Sequence, residues 1–366
     1  MAASDQIRPW MMPPPPKGRG AVSNPDGRFE PAAREIADDG WGILDEEPEP
    51  LRTTVLRDTS RSVIAHNNSP DVGFDQSINP YRGCEHGCIY CYARPSHAFL
   101  GFSPGLDFET KIFAKFDAPV LLEKELRRKG YRCDIIALGA NTDAYQPVER
   151  ELKITRGVLE VLQRFRQPVS VITKSALVVR DIDILAEMSA NRLAQVTVSV
   201  TSLDRETARR LEPRAATPPR RLKTIRALAD AGIPVRVNVA PVIPGLTDHE
   251  LEAILEAARD AGAQGANYIL VRLPLEIKDL FRDWLQEHAP DRARRVLNLI
   301  RETRGGALNR SEFGERMKGT GPYADLIRAR FRTASRRLGL DRKAMDLDTS
   351  RFRVPPGAGD QLGLPI

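Results

Sequence analysis

Cysteine is scarce in this 366-residue chain: there are four, and three of them, Cys84, Cys88 and Cys91, crowd into one short stretch. A disulfide framework would spread an even number along a short secreted chain, so that class is excluded. Long apolar runs are also missing. None approaches the ~18 residues of a membrane span, and no membrane partner is expected. Residues 1–16 have no apolar core and are broken by Pro13, Pro14, Pro15 and Pro16, unlike an export signal. Few thiols and no such signal predict a cytoplasmic protein in a reducing compartment. Aromatic residues make up 6% of the chain. They do not interleave with the basic residues in the stacking pattern that single-stranded nucleic acid asks for.

What is present suits a soluble globular protein: 41% hydrophobic residues for a core and 28% charged residues for a surface. The net charge is +6, and the excess gathers in residues 301–353, where 14 Lys/Arg face 7 Asp/Glu. A solvated helical face explains this, since Arg and Lys are good helix formers. A nucleic-acid face acting through counterion release is the competing reading.

Along the chain, residues 1–50 are rich in Pro, Gly, Asp and Glu without periodicity, which predicts a disordered segment. From residue 51 to 285, short β-branched runs alternate with helical periodicity. The runs are Asp134–Ala140, Val169–Thr173, Gln195–Thr201, Val235–Val242 and Asn267–Leu273, and a short strand before Asn79 would complete six βα units. Strands that are apolar throughout predict a parallel sheet buried on both faces. Residues 286–345 read as a basic helical extension and 346–366 as a flexible tail. Thr247 to Glu250 reads as a capping box. Pro218 after Thr217 marks a helix start, and Gly232 and Gly262 mark helix stops.

In a parallel barrel, functional groups gather at the carboxyl ends of the strands. Those ends carry Asn141, Thr142 and Asp143, then Thr173, Lys174 and Ser175, then Ser199, Thr201 and Ser202, then Asn238, then Arg272. The cysteines are spaced Cys-x3-Cys-x2-Cys, an odd number for a site that normally takes four ligands. Gly83 and Gly87 let this loop pass close to inorganic sulfide. Three readings compete: a structural zinc site with His86 as fourth ligand, a reducible thiol group, and an iron–sulfur cube whose fourth iron stays open to a small molecule.

The loop Cys84-x3-Cys88-x2-Cys91, on alternating strands and helices, resembles the radical SAM superfamily. Tyr90 and Tyr92 around Cys91, with Asn141-Thr142-Asp143-Ala144-Tyr145-Gln146-Pro147 downstream, resemble its spore photoproduct lyase-like branch. The resemblance implies an α/β fold, a partial (β/α)6 TIM-type barrel with a helical C-terminal extension. It implies an enzyme that binds a 4Fe–4S cluster through Cys84, Cys88 and Cys91 and cleaves S-adenosylmethionine (SAM) to a 5′-deoxyadenosyl radical. An electron donor such as flavodoxin or ferredoxin is the implied partner.

By the same resemblance, Tyr90 and Tyr92 lie along adenine, and Asn141, Thr142 and Asp143 take the SAM amino group. Lys174 takes the carboxylate, Ser199 and Thr201 reach the ribose or carboxylate, and Gly245 lets the backbone approach adenine. Glu212 and Arg214 offer a further charged contact, while His86 and His97 are assigned no role. The photoproduct lyase relies on a cysteine near its substrate as hydrogen donor. The spare thiol here, Cys133, precedes its strand and so should lie roughly 20 Å from the mouth at ~3.3 Å per residue. Substrate and catalytic residues are not written in the sequence. The alternatives are a nucleic-acid repair or modification enzyme and a non-enzymatic zinc-bound nucleic-acid-binding protein.

Overall fold

The computed structural model describes residues 17–30, 51–342 and 345–356. Their strands are β1 (Thr54–Arg57), β2 (Ile64–His66), β3 (Gln76–Ile78), β4 (Tyr81–Arg82), β5 (Lys111–Ala114), β6 (Ile136–Leu138), β7 (Val169–Thr173), β8 (Ala194–Ser199), β9 (Val235–Val242) and β10 (Gly265–Leu270). Seven form one sheet in the order β10-β9-β8-β7-β6-β3-β2. From β3 to β10 every pairing is parallel, and only β2 runs antiparallel at the edge. Six parallel strands in chain order with intervening helices make the partial (β/α)6 barrel. All five expected β-runs overlap β6 to β10, and the strand expected before Asn79 is β3. A second small sheet, β1-β5-β4, was not foreseen.

The barrel's outer layer follows from helical periodicity. In the helix Ile154–Arg164, the residues Ile154, Val158, Leu159, Val161 and Leu162 fall on one face and are buried. With Leu185, Ile225 and Leu228 they pack on Val169, Val171, Val196, Val198, Val235 and Val237. The other strand face differs from expectation: Ser170, Ile172, Thr197, Arg236 and Asn238 are only half-buried. A six-stranded sheet covers its concave side less fully than its convex one, so polar residues are tolerated there.

The C-terminal extension is stitched to the barrel rather than appended to it. Its helix Pro322–Arg337 lies on the helix Leu251–Asp260, with Arg330 bound to Glu252 (2.6 Å) and Arg337 paired with Glu256. Trp284, Phe281 and Ile300 of the helices Ile277–His288 and Pro290–Glu302 share a core with Cys88, Ile89 and Tyr90. The expected domain boundary at 285 therefore falls inside a helix. Arg316 closes on Asp71 and Ser69 beside β2, tying the extension to the far edge of the sheet. No helix among the described residues is long and apolar enough to cross a membrane.

Three local expectations are corrected. Within the segment expected to be disordered, residues 17–30 pack on the barrel, with Ala21 and Arg19 buried; residues 1–16 and 31–50 lie outside the described residues. In the expected flexible tail, Leu347 is buried and Phe352 packs on Tyr131 and Phe165, while residues 357–366 lie outside the described residues. The capping box does not form. Thr247 Oγ1 accepts from the Ile243 N–H at 3.0 Å, and Glu250 accepts from Ser202 and the Leu203 N–H, both at 2.6 Å. Tertiary partners outcompeted the local motif. The helix start at Pro218 and the glycines beyond Asp230 and Asp260 stand as expected.

His97 gives this core a pH dependence. It is fully buried among Phe108, Phe102 and Phe113, with Nε2 3.0 Å from the Lys111 carbonyl. Burial pushes its pKa down to about 4, so the unfolded chain, titrating near ~6.5, binds the proton first. This contribution is complete above that value and is lost as the pH falls toward 4. Urea midpoints should therefore drop between pH 6.5 and 5, and His97→Phe should flatten the slope. An unchanged slope in the variant would contradict the assignment.

Candidate active site

The three clustered cysteines sit in the loop between β4 and a 3-10 helix at Arg94–Leu100. The loop is wound into short turns: the Gly87 N–H donates to the Cys84 carbonyl, Cys91 to Cys88, and Arg94 to Cys91, at 3.1–3.3 Å. Gly83 and Gly87 have φ of 78° and 67°, where L side chains are strained. A Cβ on Gly87 would also stand 2.7 Å from the Glu109 carboxylate.

Side chains from other elements hold this loop. The fully buried Arg94 donates to the carbonyls of Cys88 (2.9 Å), Gly87 (3.1 Å), Pro104 (3.1 Å) and Gly105 (2.8 Å), and its remaining charge meets Glu109. Glu109 also accepts the Gly20 and Ala21 N–H groups, both at 2.9 Å. The N-terminal segment is thereby pressed against the loop. The buried Gln146 accepts from the Glu85 N–H at 2.9 Å and donates to the Gly83 carbonyl at 3.1 Å. Glu85 in turn binds Thr53 (2.5 Å) and Arg214 (2.9 Å).

A second buried charge pair lies under Tyr90. Glu212 accepts from the Tyr90 hydroxyl, from Thr201 (2.7 Å) and from Arg221, whose other donors bind the Ala216 and Ser199 carbonyls. Lys174 reaches over the Tyr90 ring, 5.9 Å from its centroid, and no carboxylate pairs with it among the described residues. Its ammonium acts on the Cys88 thiol with the opposite sign to Glu212.

All four cysteines are free. Cys84 and Cys88 are buried and Cys91 half-buried; burial pushes the thiols of Cys84 and Cys88 well up from the ordinary range. Such thiols stay protonated unless a cation compensates them, and metal coordination does that outright. Among the described residues no three His, Cys, Asp or Glu side chains converge on a point where one ion would bind. A cube takes its thiolates at separate corners, so the donor set fits an iron–sulfur cluster better than a single zinc ion. His86 is buried, with its Nδ1 3.4 Å from Asp143.

Several predicted cofactor residues are engaged by the protein itself. Asp143 accepts from Thr173 and the Lys174 N–H, both at 2.7 Å, from the Tyr145 N–H at 2.9 Å, and from His86. Burial opposes its ionisation, yet His86 and these donors hold its carboxyl at about 2. Thr142 is buried and donates to the Tyr81 carbonyl at 2.6 Å; Thr201 is spent on Glu212 and the Ala240 carbonyl (3.0 Å). The side chains of these three are engaged within the fold, where they position the site. Gly245 faces Leu299 and Val296, so packing against the helix Pro290–Glu302 and its φ of 75° account for the glycine.

Asn141 is exposed, with its N–H bound to Asn79 at 2.8 Å. Ser199 is buried at the end of β8 beside Asn238, whose Oδ1 is buried without a partner. Tyr92 is 45% exposed, and its hydroxyl donates to the Ala140 carbonyl just past β6. Cys133 lies before β6, at the end opposite the mouth, with its thiol 3.4 Å from Gln167. Sequence reasoning missed Arg94, Glu109, Gln146 and Arg221. Arg94 and Glu109 follow the cysteines as charges of a kind any solvated loop shows, Arg221 lies far from them in sequence, and Gln146 was quoted in the downstream stretch without a role.

Residues 78–258 match the family model described as the radical SAM superfamily. An uncharacterized protein of Mycobacterium tuberculosis is 35% identical over 292 residues, covering 79% of this chain and 82% of that protein. One from Methanocaldococcus jannaschii is 29% identical over 174 residues, 47% of this chain and 62% of its own. Among solved structures, spore photoproduct lyase complexed with dinucleoside spore photoproduct superposes with a TM-score of 0.53 at 15% identity, covering 78% of each chain. A variant of that lyase with bound AdoMet and the same dinucleoside gives 0.54 at 14% identity over 84% of this chain and 85% of that one. At such identity the likeness is one of fold.

The charge pair beneath the loop makes a separate prediction. Arg221→Met leaves Glu212 buried without its counter-charge and should cost about 3–5 kcal/mol. Adding Glu212→Gln should recover most of that loss, since the amide carbonyl still accepts from Tyr90 and Thr201. Thermal melts of both variants check this; equal destabilisation in the single and double variants would contradict it.

Proposed function

The chain belongs to the radical SAM superfamily, and from that premise we propose that Cys84, Cys88 and Cys91 hold a 4Fe–4S cluster whose fourth iron accepts SAM. The superfamily consists of enzymes that use this cluster and this cofactor. When bound, the pair supplies one electron to a sulfonium carbon–sulfur bond and thereby a 5′-deoxyadenosyl radical that removes hydrogen from substrate. The observation that carries the reading is the set of three free thiols on one clamped loop, at the carboxyl ends of the parallel strands.

The chain's own residues bind, orient and exclude water. Lys174 supplies the unpaired cation suited to the SAM carboxylate, and the Tyr90 ring beneath it offers an apolar face. Asn141, exposed at the end of β6, keeps its amide for the SAM amino group, while Asp143 lends negative potential there from a fixed position. Ser199 and Asn238 lie side by side for the ribose, the latter with an unsatisfied oxygen. Tyr92 borders the open side. Arg94 and Gln146 bind loop carbonyls and amides, which keeps the thiols from collapsing when metal-free. A small acidic one-electron carrier such as a flavodoxin or ferredoxin is the proposed donor.

Solved structures of similar fold include a spore photoproduct lyase complexed with dinucleoside spore photoproduct, but two observations argue against the same substrate here. The spare thiol of Cys133 is at the wrong end of the barrel. Much of the basic C-terminal stretch is also neutralised, with Arg310, Arg316, Arg328, Arg330, Arg337 and Arg351 all paired to carboxylates.

Anaerobic reconstitution should yield about four iron and four sulfide per chain, and the reduced protein should convert SAM to 5′-deoxyadenosine and methionine. Cys84→Ala, Cys88→Ala and Cys91→Ala should each abolish the turnover, whereas Cys133→Ala should keep it. Stoichiometric zinc without iron, or turnover surviving in any of the three variants, would contradict the proposal.

A further inference from the structure

At the open side of the barrel one guanidinium has no acid to answer it. Arg272 follows β10 by two residues, and its guanidinium carbon stands 5.4 Å from the centroid of the Tyr92 ring. Tyr92 follows Cys91 directly, and its hydroxyl is bound past the end of β6. Arg272 therefore spans the mouth between the last strand of the barrel and the second. Its Nε is buried with no acceptor, and the contact made by Nη1 is the weak one to the Met317 sulfur at 3.8 Å. Among the described residues no carboxylate pairs with it.

The neighbours deepen this imbalance. Arg304 is buried just behind, donating to the carbonyls of Leu270, Val271, Glu315 and Arg316. Arg316 is close enough to repel Arg272, and so is Arg304. The acid in this group is Asp71, and Arg316 and the Gly314 N–H already occupy it. Three guanidinium groups and one carboxylate thus gather at the mouth. Arginine does not deprotonate in proteins, so the charge cannot be shed. A cation–π contact offsets only part of such desolvation, and a buried donor without an acceptor adds to the cost.

We propose that Arg272 binds an oxyanion of the substrate, a carboxylate or phosphate group, and holds it at the barrel mouth beside Tyr92. Carboxylate and phosphate share the planar two-oxygen edge that a guanidinium fork grips. The SAM carboxylate is a poor candidate for this place, since Lys174 meets that need on the Tyr90 side. The inference rests on the radical SAM reading for its statement that the group belongs to the substrate, but the subsite itself requires no cluster.

The test is calorimetric binding of inorganic phosphate and, separately, of acetate at low ionic strength, to the full chain both before and after cluster reconstitution. At least one anion should bind the wild type in both states; phosphate alone would indicate a phosphorylated substrate and acetate alone a carboxylic acid. Arg272→Gln should weaken that binding at least tenfold, and Arg272→Lys should fall between. Neither anion binding the wild type, or equal binding by wild type and Arg272→Gln, would overturn the proposal, and the wild-type arm does not depend on how well a variant folds. Anion binding by a chain that takes up no iron would sink the cluster assignment and leave the subsite standing.

Discussion

The loop that carries the three thiols contains no regular secondary structure, so beyond its own short turns the side chains that fix its shape come from outside the stretch Cys84–Cys91. Arg94 is the centre of that arrangement: one guanidinium gathers the carbonyls of Gly87, Cys88, Pro104 and Gly105, and its charge is answered by Glu109. A planar fork of five donors is the side chain that can do this in one step. Gln146 does the same from the second βα loop. Loop conformation is thereby coupled to the barrel, since Gln146 is set by β6 and Arg94 by the turn that follows the cysteines.

Buried ion pairs of this kind rarely add net stability, because desolvating both charges costs about as much as their attraction returns. Their value here is geometric. Glu109 joins the cysteine loop to the segment at Gly20 and Ala21, where a Cβ on Gly20 would overlap the Gly87 carbonyl. Glu212 joins Tyr90 to β8 through Thr201 and to the helix Pro218–Asp230 through Arg221. The site is thus held from both sides by carboxylates that touch no thiol directly. Cofactor chemistry needs such fixed dipoles, because a mobile loop would have to be reordered at each turnover.

The barrel was readable because its signal is periodic: β-branched runs and helical stripes repeat for some two hundred residues, and tertiary packing reinforces them. The cysteine motif was readable because three thiols at that spacing have few other uses. Long-range polar partners were not readable. Thr142, Asp143 and Thr201 sit at strand ends as expected, yet the fold spends their side chains on its own backbone and charges. The capping box at Thr247 failed for the same reason, since Ser202 and Leu203 claim Glu250 from 48 and 47 residues away. Residues 17–30 looked disordered from composition, but long-range partners order them: Glu109 accepts two of their N–H groups, Arg19 donates to the Glu109 and Leu51 carbonyls, and Arg28 pairs with Glu276.

The central claim is that three thiolates leave one iron of the cluster free for SAM. Electron paramagnetic resonance of the reduced protein, recorded with and without SAM, addresses that iron directly. The account predicts a 4Fe–4S signal whose g-values shift when SAM is added. A spectrum that SAM leaves unchanged, from a protein with its full complement of iron, would contradict it.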